Sequence, residues 1–139
     1  MPASRYLADA NLNWLRGSSF PAAPLTNLFI SLHSADPGID GDQADVTVTL
    51  VPAGRIAVPV TGFSAPITVP GGVARECSNI SAISITESAA AAAAVTYVGF
   101  WNAASGGNFL TYGLVNPPTN FLAGDIVRFP VGQLVIRLS

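Results

Sequence analysis

The stretch VTYVGFWNAASGGNFLTYG, Val95 to Gly113, decides the reading of this chain. Its first part, Val95–Trp101, is rich in β-branched and aromatic residues, which suit a pleated, half-buried surface. Asn102–Gly107 supplies a tight turn whose glycines accept positive φ. Asn108–Leu114 then returns. The stretch therefore predicts a β-hairpin with Val98, Phe100 and Leu110 in the core and Asn102–Gly107 as its exposed tip. Further on, FLAGDIVRFPVGQLVIRL at Phe121–Leu138 predicts a second hairpin, Ile126–Pro130 with Gln133–Leu138 about Val131-Gly132. Neither half carries a convincing nucleophile, acid–base pair or metal ligand.

Working outward, Ser4–Arg16 is the one good helix candidate. Ser4 is placed to cap it, and Tyr6, Leu7, Ala10, Leu12, Trp14 and Leu15 recur at helical spacing. Gly17 suits its end, and the prolines of Ser18–Pro24 make a stiff connection. Leu25–His33 predicts a central strand, with Leu28, Ile30 and Leu32 on one face and Phe29 and Ser31 on the other. A bend-rich loop, SADPGIDGDQAD, follows. Val46–Val51, Arg55–Phe63, Ile67–Val69 and Ile80–Thr86 predict further strands, with a break at Gly71-Gly72. The six alanines Ala89–Ala94 are too few to nucleate a helix alone, so they predict a loop or a single helical turn. Pro117-Pro118 predicts a sheet edge or a crossing. Short strands with turns about every ten residues indicate an all-β fold, an antiparallel β-sandwich, jelly-roll-like, with one short N-terminal helix. Residues 1–24 would be the helix and its connection, and residues 25–139 a single sandwich domain.

Composition bears on function. Of 139 residues, 50% are hydrophobic and only 10% charged, against roughly 25% charged in ordinary soluble domains. All six basic residues are Arg, and there is no Lys. Lys is depleted at protein interfaces and Arg enriched, so part of this surface is expected to be covered by neighbours. A net charge of −2 without a basic cluster argues against nucleic acid. No apolar run approaches the roughly 20 residues of a membrane-spanning helix, and the N-terminus shows no export signal. A single cysteine, Cys77, excludes an intrachain disulfide framework and reads as small apolar filler.

The candidate chemistry is thin. His33, the only histidine, lacks an aligned nucleophile and acid in the sequence, although Ser31 and Ser34 are near, and reads as structural. The acidic loop Asp36–Asp45 is only loosely like a calcium loop; it lacks the EF-hand spacing and terminal Glu, and reads as a solvated connection. Gly71-Gly72 and Ser105-Gly106-Gly107 are not phosphate cradles. Trp14, Phe100, Trp101, Phe109 and Tyr112 read as core rather than as a ligand platform. Asn79-Ile80-Ser81 matches a glycosylation sequon that has no meaning without a secretory route. No enzyme class, cofactor or metal is expected.

VTYVGFWNAASGGNFL at Val95–Leu110 resembles a pattern in small bacteriophage virion proteins commonly labelled tail fibre or minor structural proteins. NLNWLRG with the FP after it (Asn11–Pro21), LFISLHSADPG (Leu28–Gly38) and AGDIVRFPVGQLVIRLS (Ala123–Ser139) match the same family. The departures lie in the middle, where Pro52–Ala57 replaces a Gly-rich segment and the alanine run a more varied one. The resemblance implies a structural subunit of the virion, made in the host cytoplasm. Small size and the lack of a repetitive shaft favour a capsid cement or decoration protein that clamps the major capsid protein, as a homo-oligomer and possibly a trimer. A tail or tail-fibre component is the alternative. Arg5, Tyr6, Trp14 and Arg16 are the expected contact residues, because a terminal segment can reach a neighbour and Arg, Trp and Tyr dominate interface hot spots. A glycan-binding module would need exposed aromatic side chains, which a sequence does not reveal.

Overall fold

The hairpin that dominates the sequence forms the middle of the fold. In the computed structural model, which describes residues 4–20, 26–69, 71 and 75–138, β6 (Ala93–Trp101) pairs antiparallel with β7 (Phe109–Phe121). On its other side β6 meets β1 (Asn27–His33), placing Leu32 opposite Val98 and Ile30 opposite Phe100. Side chains two apart share a face of a strand. Ile30, Leu32, Val98 and Phe100 therefore lie together on the inner face, and all four are fully buried.

Ahead of these strands come α1 (Arg5–Leu15) and, after β1, the four-residue α2 (Thr47–Leu50). β2 (Ile56–Pro59), β3 (Ile67–Thr68), β4 (Arg75–Ser78) and β5 (Ile83–Ser88) precede the hairpin, and β8 (Ile126–Phe129) and β9 (Leu134–Leu138) follow it. Among the described residues, seven strands form one antiparallel sheet in the order β2-β1-β6-β7-β9-β4-β3, and β5 and β8 form a second. The small sheet sends Ile83, Val127 and Phe129 into the core against Val95, Val115 and Leu134 of the large one. Edge-to-face ring pairs, Phe63 with Phe100 at 5.7 Å and Phe121 with Phe129 at 6.0 Å, complete the packing. The fold is an antiparallel β-sandwich of unequal layers with one short N-terminal helix.

Several elements depart from the sequence expectation, each for a local reason. Val46–Val51 alternates like a strand, yet it holds the single turn α2. The Asp45 carboxylate accepts the Thr47 N–H, and the Thr47 hydroxyl accepts the Leu32 N–H, both at 2.8 Å. These bonds tie the segment to the side of β1, and context overrides β propensity. The Arg55–Phe63 strand shortens to β2, because Pro59 has no N–H to continue a ladder and the chain enters a 3-10 turn at Val60–Gly62. The alanine run contributes Ala93 and Ala94 to β6. The start of the Leu25–His33 strand, Leu25, lies outside the described residues, as do residues 21–24, 72–74 and Ser139.

The returning strand β7 runs well past Leu114. Between Val95↔Thr119 and Tyr97↔Leu114 the register shifts, so the segment with Pro117 and Pro118 bulges out of the β6 ladder. Leu110 is not in the core. Phe109 pairs with Trp101 and Thr111 with Phe100, which leaves Leu110 as the extra, half-buried residue of a bulge.

The expected second hairpin is absent. β8 pairs with β5, whereas β9 pairs with β4 and β7, so Pro130–Gln133 carries the chain from one sheet to the other. Asn79 holds this crossing. Its Nδ2 donates to the carbonyls of Ser81 and Pro130, and its Oδ1 accepts the Leu134 N–H. β4, which pairs with β9 beside that crossing, is a strand that the sequence pattern does not predict.

Candidate functional site

The outer face of β1 and β6 carries a connected polar arrangement. Period two places Ser31 and His33 on the face opposite Ile30 and Leu32, and both are buried. Ser31 Oγ lies 2.7 Å from His33 Nε2, and His33 Nδ1 lies 2.7 Å from the Gln43 carbonyl oxygen. A carbonyl only accepts, so Nδ1 carries the proton, and Nε2 accepts from the Ser31 hydroxyl. Trp101 Nε1–H then donates to Ser31 Oγ at 2.9 Å. Every polar atom of the chain Trp101–Ser31–His33–Gln43 is thus matched with the imidazole neutral. Burial pushes the His33 pKa below its usual range, and the bond to Gln43 and the Asp45 charge only partly oppose it.

A serine beside a histidine is the start of a nucleophile–base pair. Here the third partner is a backbone carbonyl instead of a carboxylate, and Ser31 is 1% exposed and His33 0%. The dyad is sealed, which fits the structural role expected of His33.

Close packing seals it. A Cβ on Gly99 would run into Ser31 Oγ and lie 3.0 Å from Phe109 Cε1, so only glycine fits above the dyad. Gly41, from the acidic loop, has φ +73°, and a Cβ there would sit 2.5 Å from the Phe109 ring. Arg55 closes the side: its guanidinium lies 3.6 Å from the centroid of the Trp101 ring and donates to the carbonyls of Ala103 at 2.9 Å and Gly106 at 2.8 Å. One side chain therefore fastens the hairpin turn to the beginning of β2.

The N-terminal helix meets this face at its first turn. Ser4 caps α1 by accepting the Leu7 N–H, and the Ser4 N–H donates to the Leu110 carbonyl that the bulge turns outward. The Arg5 N–H bonds the Ile39 carbonyl, and the Arg5 side chain meets Asp40 at 3.4 Å in an exposed ion pair. Between the helix start and the hairpin turn lies a cleft of about 300 Å³ bordered by Arg5, Tyr6, Asp9, Trp101, Asn108 and Phe109.

The expected contact residues divide accordingly. Arg5 and Tyr6 border the cleft, Tyr6 half-buried. Trp14 and Arg16 stand at the far end of α1, where Trp14 is 57% exposed and the Arg16 side chain, just past the helix, reaches only Asn13 among the described residues. Leu12 and Leu15 are exposed beside them, and the helix buries only Ala10. Trp14 does not pack the helix onto its own sandwich.

The remaining candidates resolve into structural roles. In the acidic loop, Asp36 accepts the Gly38 N–H, Asp40 faces Arg5 and Asp45 accepts the Thr47 N–H at the start of α2. Among the described residues no group of three His, Cys, Asp or Glu side chains converges. Asn79 of the sequon is 1% exposed, with its amide fully engaged. Burial and the neighbouring Glu76 charge raise the Cys77 pKa. No helix among the described residues is long and apolar enough to cross a membrane. The sequence reading missed the alignment of Ser31 with His33, although i, i+2 spacing on a predicted strand announces it. It also missed Arg55, whose partners lie 48 and 51 residues away.

Comparison with known proteins agrees with the resemblance to virion structural proteins. No curated protein gives a significant match. A family model described as "Podophage GP4 fiber I protein gp80" matches residues 2–137, nearly the whole chain. The sandwich, its capped helix and its sealed outer face therefore belong to a member of the podophage GP4 fibre I protein gp80 family.

Proposed function

We propose that the chain is a non-enzymatic structural subunit of a virion fibre and that it assembles with further copies of itself. The observation that carries the reading is the fibre family's match over residues 2–137. Two features of the molecule support it. The helix turns Leu12, Trp14 and Leu15 outward, an apolar surface suited to a neighbouring subunit. The one serine–histidine pair is closed to substrate. The expectation of a capsid cement gains nothing from the family's description, and the fibre placement fits it directly.

Deleting the gene and comparing particles tests the placement. Particles without the protein are expected to retain DNA on heating as well as wild type but to adsorb poorly to host cells. Particles that shed DNA while adsorbing normally would overturn the fibre reading and favour the capsid. Self-association is tested by light scattering on the purified protein: Trp14→Asp should lower the assembly state and leave the melting temperature unchanged. An unchanged mass for that variant would remove α1 from the interface.

A further inference from the structure

We propose that His33 works as a proton-operated latch on the β6–β7 turn. When its imidazole is protonated, Trp101 leaves Ser31 and the Asn102–Gly107 turn loosens from Arg55, while the sandwich core stays packed. This inference is independent of where on the virion the protein sits.

The hydrogen bonds fit a neutral imidazole and no other. In that state the Ser31 hydroxyl donates to His33 Nε2 and accepts from Trp101 Nε1–H. A charged imidazole donates from both nitrogens. Nδ1–H keeps the Gln43 carbonyl, but Nε2–H then points at Ser31 Oγ from 2.7 Å, where Trp101 already donates. The hydroxyl hydrogen loses its acceptor, and Gly99 packs so closely on Ser31 Oγ that no room remains there for a water.

One donor has to withdraw. His33 is fully buried and tied to Gln43, whereas Trp101 is half-buried at the end of β6, so the indole yields. Its departure takes the platform from the Arg55 guanidinium, which lies 3.6 Å from the ring centroid and holds the carbonyls of Ala103 and Gly106. The turn then keeps the bonds between Asn102 and Asn108 across its base.

The groups around the imidazole set where this happens. Burial disfavours the charged form, and the Gln43 carbonyl and the Asp45 carboxylate favour it. Asp45 is shared: it accepts the Thr47 N–H and also acts on Arg55. Across the β6 ladder stands Tyr97, with the Tyr112 ring edge-on to it and the Asp36 charge near Tyr112. Burial leads, so the latch opens on the acid side of about pH 6.5.

His33 is the chain's only histidine, so its imidazole gives one NMR signal, and Trp14→Phe leaves Trp101 as the only tryptophan. In that variant, lowering the pH from about 8 to about 5 should shift Trp101 emission to the red and raise its quenching by acrylamide, with the far-UV circular dichroism unchanged. The emission midpoint should coincide with that of the imidazole. The open fraction should grow by up to about tenfold per pH unit, the limit for one proton. Adding His33→Gln should make the emission flat with pH, and adding Asp45→Asn should move both midpoints to lower pH. Emission that stays constant down to about pH 5 would overturn the proposal. So would an emission midpoint apart from the imidazole's, a change that survives His33→Gln, or one that coincides with loss of the far-UV signal.

Discussion

Phe100→Ala tests the central claim of the fold, that the inner face of the β6–β7 hairpin is the core. Phe100 is fully buried, opposite Thr111 on β7 and Ile30 on β1, with its ring edge-to-face against Phe63. Returning such a side chain to water costs about 1.5–3 kcal/mol. The ring pair adds about 0.5–1.5 kcal/mol. The cavity cannot collapse freely between two paired neighbouring strands, so the total should reach about 3–5 kcal/mol. For a domain of this length the unfolding entropy is about 0.3 kcal/mol/K, so the melting temperature should fall by roughly 10–17 °C. Denaturant unfolding of wild type, Phe100→Ala, Phe63→Ala and the double variant gives both the total and the pair coupling. A loss under about 1 kcal/mol for Phe100→Ala would refute the inward orientation, and with it the register of β6.

Further outcomes follow from the outer face. With the His33 pKa depressed by burial, the unfolded chain binds more protons than the folded one from about pH 6.5 downward. Stability is therefore fully present above about pH 6.5 and is lost as the pH falls through the folded-state pKa. Denaturant midpoints between pH 8 and pH 5 should show this slope, and His33→Gln, less stable throughout, should flatten it. Gly41→Ala should cost more than Gly54→Ala: both glycines have positive φ, but only at Gly41 would the new methyl strike a ring. Thermal melts should give about 1 kcal/mol for Gly54→Ala and at least twice that for Gly41→Ala. Equal losses would mean that Phe109 yields its place.

What the sequence disclosed depended on the range over which each signal acts. The alternation of Leu28, Ile30 and Leu32, the dense run Val95–Trp101 and the Ser4 cap are local, and the structure contains each as expected. Partner choice is not local. Ile126–Phe129 and Leu134–Leu138 look like the arms of one hairpin because a Pro-Val-Gly turn joins them. The buried amide of Asn79, more than 50 residues earlier, instead sends the arms to different sheets. Likewise the cleft joins Tyr6 and Asp9 to Trp101 and Asn108 across most of the chain, which no short motif encodes. The exposure of Trp14 was equally illegible, since an aromatic at helical spacing serves a core and an open surface alike.

The fastening of the hairpin turn by Arg55 has a practical consequence. Small, polar, solvent-facing turns are where chains ordinarily accept insertions and where proteases cut. Asn102–Gly107 has that composition, but two of its carbonyls are held by a guanidinium that also lies on the Trp101 ring. An epitope tag inserted between Ala103 and Gly106 would separate those two acceptors and draw Arg55 off the indole. The indole in turn holds the serine above His33, so a label placed there for imaging would disturb the interior two layers down.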